Sequence, residues 1–154
     1  MELGEIFDRH WERVWRAAYA VTGDRELASD AAQDAFIRAG AALHRLDRRR
    51  PVEPWLVRIA VNRAIDLVRA RRREAGGDEL PELFASDPPL ADEALHDALR
   101  GLGPERRVVI ALHYWLDYTT PEIAEVLGVP LGTVNSRLAR ALRDLRLDLE
   151  ARNV

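Results

Sequence analysis

Residues 119–138 read TTPEIAEVLGVPLGTVNSRL, and this stretch predicts two helices joined by a tight turn. Thr120 is a suitable N-cap, and Pro121 is tolerated at the first helical position because its missing N–H has no intrahelical partner there. Gly128 can adopt the left-handed conformation that ends a helix, and Pro130 prevents the helix from continuing. A short first helix, a glycine turn and a second helix are typical of the helix-turn-helix motif.

The second helix of this pair has an apolar side and a polar side. The apolar side recurs at helical spacing and should be buried; it comprises Val134, Leu138, Ala141 and Leu145. The polar side carries groups that can hydrogen-bond to base edges and phosphates; it comprises Thr133, Asn135, Ser136, Arg137 and Arg140. A helical hairpin with a solvated charged face would share this pattern, but these residue types at the helix start favour docking in the DNA major groove.

The composition is that of a globular protein, with 47% hydrophobic and 32% charged residues among 154. The absence of cysteine excludes disulfides and thiolate metal sites, and it suits a reducing compartment. No apolar run approaches the roughly 20 residues that span a bilayer. Residues 1–5 lack the basic start and apolar core of a signal peptide. We therefore expect a soluble cytoplasmic protein without a membrane partner.

The net charge of −3 is unevenly distributed along the chain. Residues 1–75 hold 15 arginines against 12 acidic residues, a net charge of +3. Residues 76–104 hold one arginine against seven acidic residues, and residues 105–154 hold seven of each. Because the acidity lies in the middle, both flanking parts can present basic surfaces to nucleic acid.

Helical periodicity runs along most of the chain, and strand signals are absent. We expect helices at about 5–21, 25–43, 54–73, 92–99, 104–116, 120–127 and 132–152. Residues 46–54 should form a loop, marked by two prolines and by Arg48, Arg49 and Arg50. The predicted fold class is all-α, with two small helical domains at 1–75 and 92–154 joined by a flexible linker at 76–91.

Three segments carry a resemblance to a known family. Residues 30–36, DAAQDAF, resemble the region-2 motif of extracytoplasmic-function sigma factors in the sigma-70 family. Residues 55–66, WLVRIAVNRAID, followed by further arginines, resemble the promoter-melting helix of the same domain. Residues 102–107, LGPERR, and the helix-turn-helix are similar to sigma region 4. The segments occur in the family's order and cover nearly the whole chain.

The resemblance implies a transcription initiation factor, not an enzyme. Such a factor binds core RNA polymerase, directs it to the −35 and −10 promoter elements and assists melting. The resemblance implies that the polymerase is bound through Asp30, Gln33, Asp34 and Phe36. It implies that the −10 element is held by Asn62, Asp66, Arg69, Arg71, Arg72, Arg73, Arg48 and Arg49. It implies that the −35 element is read by Thr133, Asn135, Ser136, Arg137 and Arg140.

The implied partners are core RNA polymerase, duplex and single-stranded promoter DNA, and an anti-sigma protein that masks both domains. Our candidate contact for the anti-sigma protein is the apolar cluster Leu80, Leu83 and Phe84 in the acidic linker. No catalytic residue, metal, cofactor or small-molecule substrate is expected.

Several of these residues have structural explanations as well. Without the resemblance, the polar helical face around Asp30 is better explained by solvation than by binding. Asn62 and Asp66 lie four residues apart and can stabilise their own helix through a hydrogen bond. Arginines at a helix C-terminus are favoured by the helix dipole. Trp11 and Trp55 recur among aliphatic residues, which favours the core over stacking on bases.

Two further expectations concern the C-terminal part. Arg106 and Arg107 could reach phosphate, and Asn135 favours adenine where the family often has a basic residue. An alternative function is a regulator that binds duplex DNA through the helix-turn-helix without recruiting polymerase. A hydrolase built on helical carboxylates is disfavoured because the four histidines are scattered and lack metal-ligand spacing.

Overall fold

The computed structural model describes residues 2–47, 49–74, 97–99 and 101–152 of the chain, and within these ranges it contains no strand. The helices are α1 (Leu3–Thr22), α2 (Arg25–Ala42), α3 (Glu53–Glu74), α4 (Pro104–Tyr114), α5 (Thr120–Leu127) and α6 (Leu131–Arg152), with a 3-10 turn at Leu43–Arg45. The all-α prediction is confirmed. The predicted linker and the start of the helix expected at 92–99 lie outside the described residues. None of the helices in these ranges is both long and apolar enough to cross a bilayer.

Small side chains bring α1, α2 and α3 close together. Alanine has the highest helix propensity and loses no side-chain entropy, so it suits closely packed helices. The turn between α1 and α2 uses Gly23, whose φ of 62° ends α1. Asp24 then caps α2, because its carboxylate accepts the N–H of Leu27 at 3.1 Å. The alanines in contact with the neighbouring helices are fully buried and include Ala17, Ala18, Ala28, Ala31, Ala35, Ala60 and Ala64.

The helix-turn-helix is formed by α5 and α6, and Gly128 ends α5 with a φ of 66°, as predicted. The predicted N-cap, Thr120, was wrong by one residue. Thr119 is the N-cap, since its hydroxyl accepts the N–H of Glu122 at 3.3 Å and the Glu122 carboxylate accepts the N–H of Thr119 at 3.0 Å. This reciprocal capping box needs a glutamate three residues after the cap, and only Thr119 has one.

The N-terminal helices (α1–α3) and the C-terminal helices (α4–α6) share one apolar core. Helix α4 packs along α1, and α5 packs along α3. A smaller cluster joins α4 to α6 around Ile110, Ala141 and Leu145. The C-terminal part of the chain contributes these buried residues to the shared core: Val108, Val109, Leu112, Leu116, Ile123, Val126 and Val134. The two groups of helices therefore pack directly against each other.

Candidate nucleic-acid interface

The polar side of α6 lies mostly at the surface. Asn135, Ser136 and Arg140 are exposed, whereas Val134, which directly precedes Asn135, is fully buried. Thr133 is half-buried. It lies in the first turn, where its N–H bonds to the carbonyl of Pro130 at 3.0 Å. Exposed amide, hydroxyl and guanidinium groups in the first turns of such a helix can reach base edges and phosphates.

Arg137, the fifth predicted residue of α6, is oriented differently. It is half-buried and lines a groove of about 360 Å³ whose other wall is α3. Asn62, Asp66 and Arg69 line the same groove from α3, and Glu105 lines it from α4. The structure therefore brings residues predicted for the −10 element together with one predicted for the −35 element.

Asn62 and Asp66 also share a second groove, of about 260 Å³, on the outer face of α3. Their placement on one helical face agrees with their four-residue spacing. Trp55 is partly buried against the core, as predicted, and its remaining surface lines this groove. Sequence reasoning missed Arg58 and Ile59 of this groove, although they lie four and three residues before Asn62 on the same helical face. It also missed Arg63 and, from α2, Arg38, for which the spacing along α3 gives no signal.

The arginines near the end of α3 differ in their surroundings. Arg71 donates to the Asp24 carboxylate at 2.7 Å and so ties α3 to the start of α2. Burial acts to raise the pKa of Asp24, but the Leu27 N–H and Arg71 outweigh it and hold that pKa below its usual value. Arg69 forms an ion pair with Glu105. Arg73 is exposed, and Arg72 is half-buried. The contacts that these four arginines were predicted to make with phosphate stay a prediction.

The loop before α3 closes over a cavity of about 490 Å³. Arg49 and Arg50 stand at its edge, and Arg48 lies outside the described residues. Burial lowers the pKa of His10 in its wall, so this imidazole is neutral near pH 7. The volume lies within the range of small-ligand pockets. The remaining walls are largely apolar and include Ile6, Leu43, Leu46, Pro51 and Val52.

The predicted polymerase face on α2 contains both exposed and buried residues. Asp30 and Gln33 are exposed, and Asp34 lies 3.5 Å from Arg38 and 3.9 Å from Arg63 in two ion pairs. Phe36 is only 5% exposed and packs edge-on against Phe7 at 5.2 Å between ring centres.

Ile37, which sequence reasoning missed, is 69% exposed and stands beside this polar face. It could have been found because it lies off the apolar stripe of α2, in which Ala31, Ala35 and Ala39 recur every four residues. An apolar side chain outside the buried stripe of an amphipathic helix is available to a partner.

Arg107 does not lie where the sequence suggested, whereas the phosphate contact of Arg106 stays a prediction. Arg106 forms an ion pair with Asp144 of α6. Arg107 is 1% exposed, and burial, reinforced by the nearby charge of Arg72, lowers its pKa to about 9. The expectation that Arg107 contacts phosphate was wrong, because the side chain points into the protein and not towards solvent.

Polar contacts also join the N-terminal and C-terminal helices. Arg13 of α1 donates to the carbonyl of Leu116 at 2.8 Å and to the Glu53 carboxylate, and its guanidinium lies 5.8 Å from the ring centre of Tyr118. The Arg58 side chain lies against Gly128, where an added Cβ would be 2.9 Å from Nη2. The Arg69–Glu105 ion pair is a third such contact.

Comparison with known proteins gives two family matches. Residues 6–74 match sigma-70 region 2, and residues 92–145 match sigma-70 region 4. The ECF RNA polymerase sigma factor SigL of Mycobacterium tuberculosis is 38% identical over 94% of this chain and 87% of its own length. The ECF RNA polymerase sigma factor SigW of Bacillus subtilis is 30% identical over 96% of this chain and 88% of its own length.

Two solved structures are similar as well. CnrH, in complex with the cytosolic domain of CnrY, has a TM-score of 0.71 at 30% identity and covers 97% of this chain and 88% of its own. The sigma factor RpoE of Bartonella quintana, in complex with the anti-sigma factor NepR, has a TM-score of 0.79 and covers 96% of both chains. At 23% identity, the second similarity bears on the fold alone.

Proposed function

We propose that this chain, which belongs to the sigma-70 family and to its extracytoplasmic-function group, is a transcription initiation factor of the cytoplasm. It binds core RNA polymerase, brings it to promoters through the −35 and −10 elements and assists their melting. The observation that carries this proposal is the match to regions 2 and 4 in the family's order, together with similarity to ECF sigma factors over nearly the whole chain. Its role is to bind and position, without an active site of its own.

For the −35 element, exposed groups on α6 make the contacts. Asn135 can donate to and accept from one adenine edge at the same time, which gives base readout. Arg140 adds a guanidinium that suits phosphate or guanine. Ser136 lies between them and can reach either kind of group.

For the −10 element, α3 and the loop before it hold the unpaired strand. Releasing a base from the stack costs a few kcal/mol, and a pocket that accepts the base offsets that cost. The apolar cavity under the loop supplies such a pocket, with Arg49 and Arg50 at its edge for the phosphates. Asn62, beside Trp55 and Arg58, supplies hydrogen bonds and flat surfaces for a neighbouring base.

For polymerase binding, α2 offers an acidic face with an exposed apolar residue beside it. Asp30 and Gln33 are open to solvent and can pair with basic and amide groups of the partner. Ile37 adds apolar area that is lost from water when the face is covered. Phe36 supports this face from beneath, because it is buried against α1.

We also propose an anti-sigma partner for this chain. The similar protein CnrH, at 30% identity, was solved in complex with a second protein, the cytosolic domain of CnrY. A protein that covers both DNA-binding surfaces and the α2 face would block every step of the proposed function. The predicted contact at Leu80, Leu83 and Phe84 lies outside the described residues and stays a prediction.

The test is run-off transcription with core polymerase on a promoter library, with and without this chain. We expect specific transcripts whose templates share an upstream and a −10 motif. The double variant Asn135→Ala/Arg140→Ala should abolish promoter selection, whereas Arg146→Ala, exposed on the same helix, should not. Duplex binding without any transcripts would refute the proposal and favour a regulator that does not recruit polymerase.

A further inference from the structure

The groove on the outer face of α3 has arginines on both of its walls. Arg58 and Arg63 line it from α3, and Arg38 lines it from α2. Among the described residues that line this groove, these three cations face one carboxylate, that of Asp66. A concave site with an excess of positive charge favours an anionic ligand. The volume of about 260 Å³ accommodates part of one nucleic-acid strand but not a duplex.

One carboxylate brings together arginines of the two walls. Oδ2 of Asp34 lies 3.5 Å from Nη2 of Arg38 and 3.9 Å from Nε of Arg63. These distances are those of loose ion pairs, and an arginine has five N–H donors, so each guanidinium keeps donors for a further acceptor. Both arginine side chains are exposed. A phosphate can therefore reach the two of them at the junction of α2 and α3.

The uncharged side chains of the groove indicate the kind of anion that it binds. Trp55 presents part of its indole surface, on which a base can stack, and Asn62 offers a donor and an acceptor to a base edge. An aromatic surface beside basic side chains is the arrangement by which proteins bind single-stranded nucleic acid. An acidic segment of a protein would pair with the arginines but has no base to stack on Trp55. The groove therefore favours a single strand.

We propose that Arg38 and Arg63 form a phosphate clamp for the unpaired promoter strand, so that the strand-binding surface extends from α3 onto α2. Trp55 and Asn62 bind a base of that strand, and the clamp holds the phosphates beside it. Arg38 belongs to this surface although it lies only one helical turn after Asp34, a predicted polymerase contact. This inference rests on the proposed function for the identity of the strand.

Binding of single-stranded DNA by the full chain tests the clamp. The probe is a fluorescein-labelled, mixed-sequence single strand of about 12 nucleotides, because phosphate contacts do not depend on sequence. Each such contact contributes about 0.7 to the slope of log affinity against log salt concentration, so its loss weakens binding about fivefold at about 0.1 M salt. Arg38→Gln and Arg63→Gln should each show that loss of affinity in an anisotropy titration, and each should lower the slope by about 0.7.

Arg16→Gln is the matched control for Arg38→Gln. The two arginine side chains are 63% and 62% exposed, and each forms an ion pair with an acidic residue four positions earlier, but Arg16 lies on α1, away from the groove. The control should bind the single strand like the unaltered chain. On a duplex of the same length the two variants should bind equally, because a duplex does not enter the groove. Equal binding of the single strand would overturn the proposal, as would an equally large loss on the duplex.

Polymerase binding distinguishes the clamp from the neighbouring face of α2. The Kd for core polymerase should agree within twofold between Arg38→Gln and Arg16→Gln. A higher Kd for Arg38→Gln, together with unchanged binding of the single strand, would assign Arg38 to the polymerase contact and refute the clamp.

The position of the strand can be tested in the complex with core polymerase. The chain has no cysteine, so Arg38→Cys and Arg16→Cys can each carry one iron chelate that cleaves nearby DNA. On a promoter recovered by run-off transcription, the chelate at position 38 should cleave the non-template strand near the −10 element, and the chelate at position 16 should not. Equal cleavage from both positions, or none from position 38, would contradict the proposed path of the strand.

The two proposals fail separately. If core polymerase with this chain gives specific transcripts but Arg38→Gln and Arg16→Gln bind the single strand equally, the clamp is wrong and the proposed function stands. If there are no transcripts while Arg38→Gln alone loses affinity for the single strand, the proposed function is wrong and the clamp stands as a single-strand-binding site.

Discussion

The α2 face makes a quantitative prediction about polymerase binding. Ile37 is 69% exposed, so replacing it by alanine removes few contacts within the chain. Complete burial of an isoleucine side chain is worth about 1.5–3 kcal/mol. Covering the 69% that remains in water therefore contributes about 1–2 kcal/mol to binding. Ile37→Ala should raise the Kd for core polymerase about five- to thirtyfold.

The assay is a fluorescence anisotropy titration of the labelled chain with core polymerase. The matched control is Leu147→Ala, an aliphatic residue that is 57% exposed on α6 and distant in sequence from α2. Neither substitution should change the free energy of unfolding by more than about 0.5 kcal/mol, because both sites are at the surface. A Kd for Ile37→Ala within twofold of the control would refute the assignment of this face to polymerase.

Three further predictions concern helix caps and base readout. Thr119→Ala should lower the free energy of unfolding by about 1 kcal/mol in urea titrations, whereas Thr120→Ala, beside the capping box, should cost clearly less. Asn135→Arg should shift the preferred −35 base from adenine towards guanine in a selection from randomised duplexes, and an unchanged preference would argue against base readout there. Asp24→Ala should destabilise the chain by about 1–2 kcal/mol at pH 7. Because the folded-state pKa of Asp24 is depressed, this difference should be complete above its ordinary pKa of about 3.9 and should vanish as the pH falls through the folded value.

Helix positions followed from the sequence because apolar periodicity and turn residues are local signals. Gly23 and Gly128 end their helices with positive φ, and the bounds of α5 are those expected. The predicted cap of α5, Thr120, was wrong because a proline after a threonine indicates a cap less specifically than the reciprocal pair of Thr119 and Glu122 does. That error concerns one residue and leaves the motif unchanged.

The partners of charged residues did not follow from the sequence. Arg69 and Arg71 belong to an arginine-rich helix end, a pattern that phosphate contacts and structural ion pairs share. Whether an arginine forms an ion pair within the chain or is left for phosphate depends on residues far away in sequence. Asp24 reaches Arg71 only because α2 packs on α3, and Glu105 reaches Arg69 only because α4 packs on α3. Contacts between residues 36 or 47 positions apart leave no periodic signal in a single sequence.

The contacts within α1–α3 differ in kind from those between the two halves of the molecule, α1–α3 and α4–α6. Within α1–α3 the core consists of fully buried alanine, valine and leucine side chains, which stay packed when the halves separate. Between the halves, apolar residues are supplemented by the ion pair of Arg69 with Glu105, whose side chains are 54% and 34% exposed. Such an exposed pair contributes about 0–1 kcal/mol and weakens with salt. Raised salt should therefore weaken the contact between the halves before it affects the core of α1–α3.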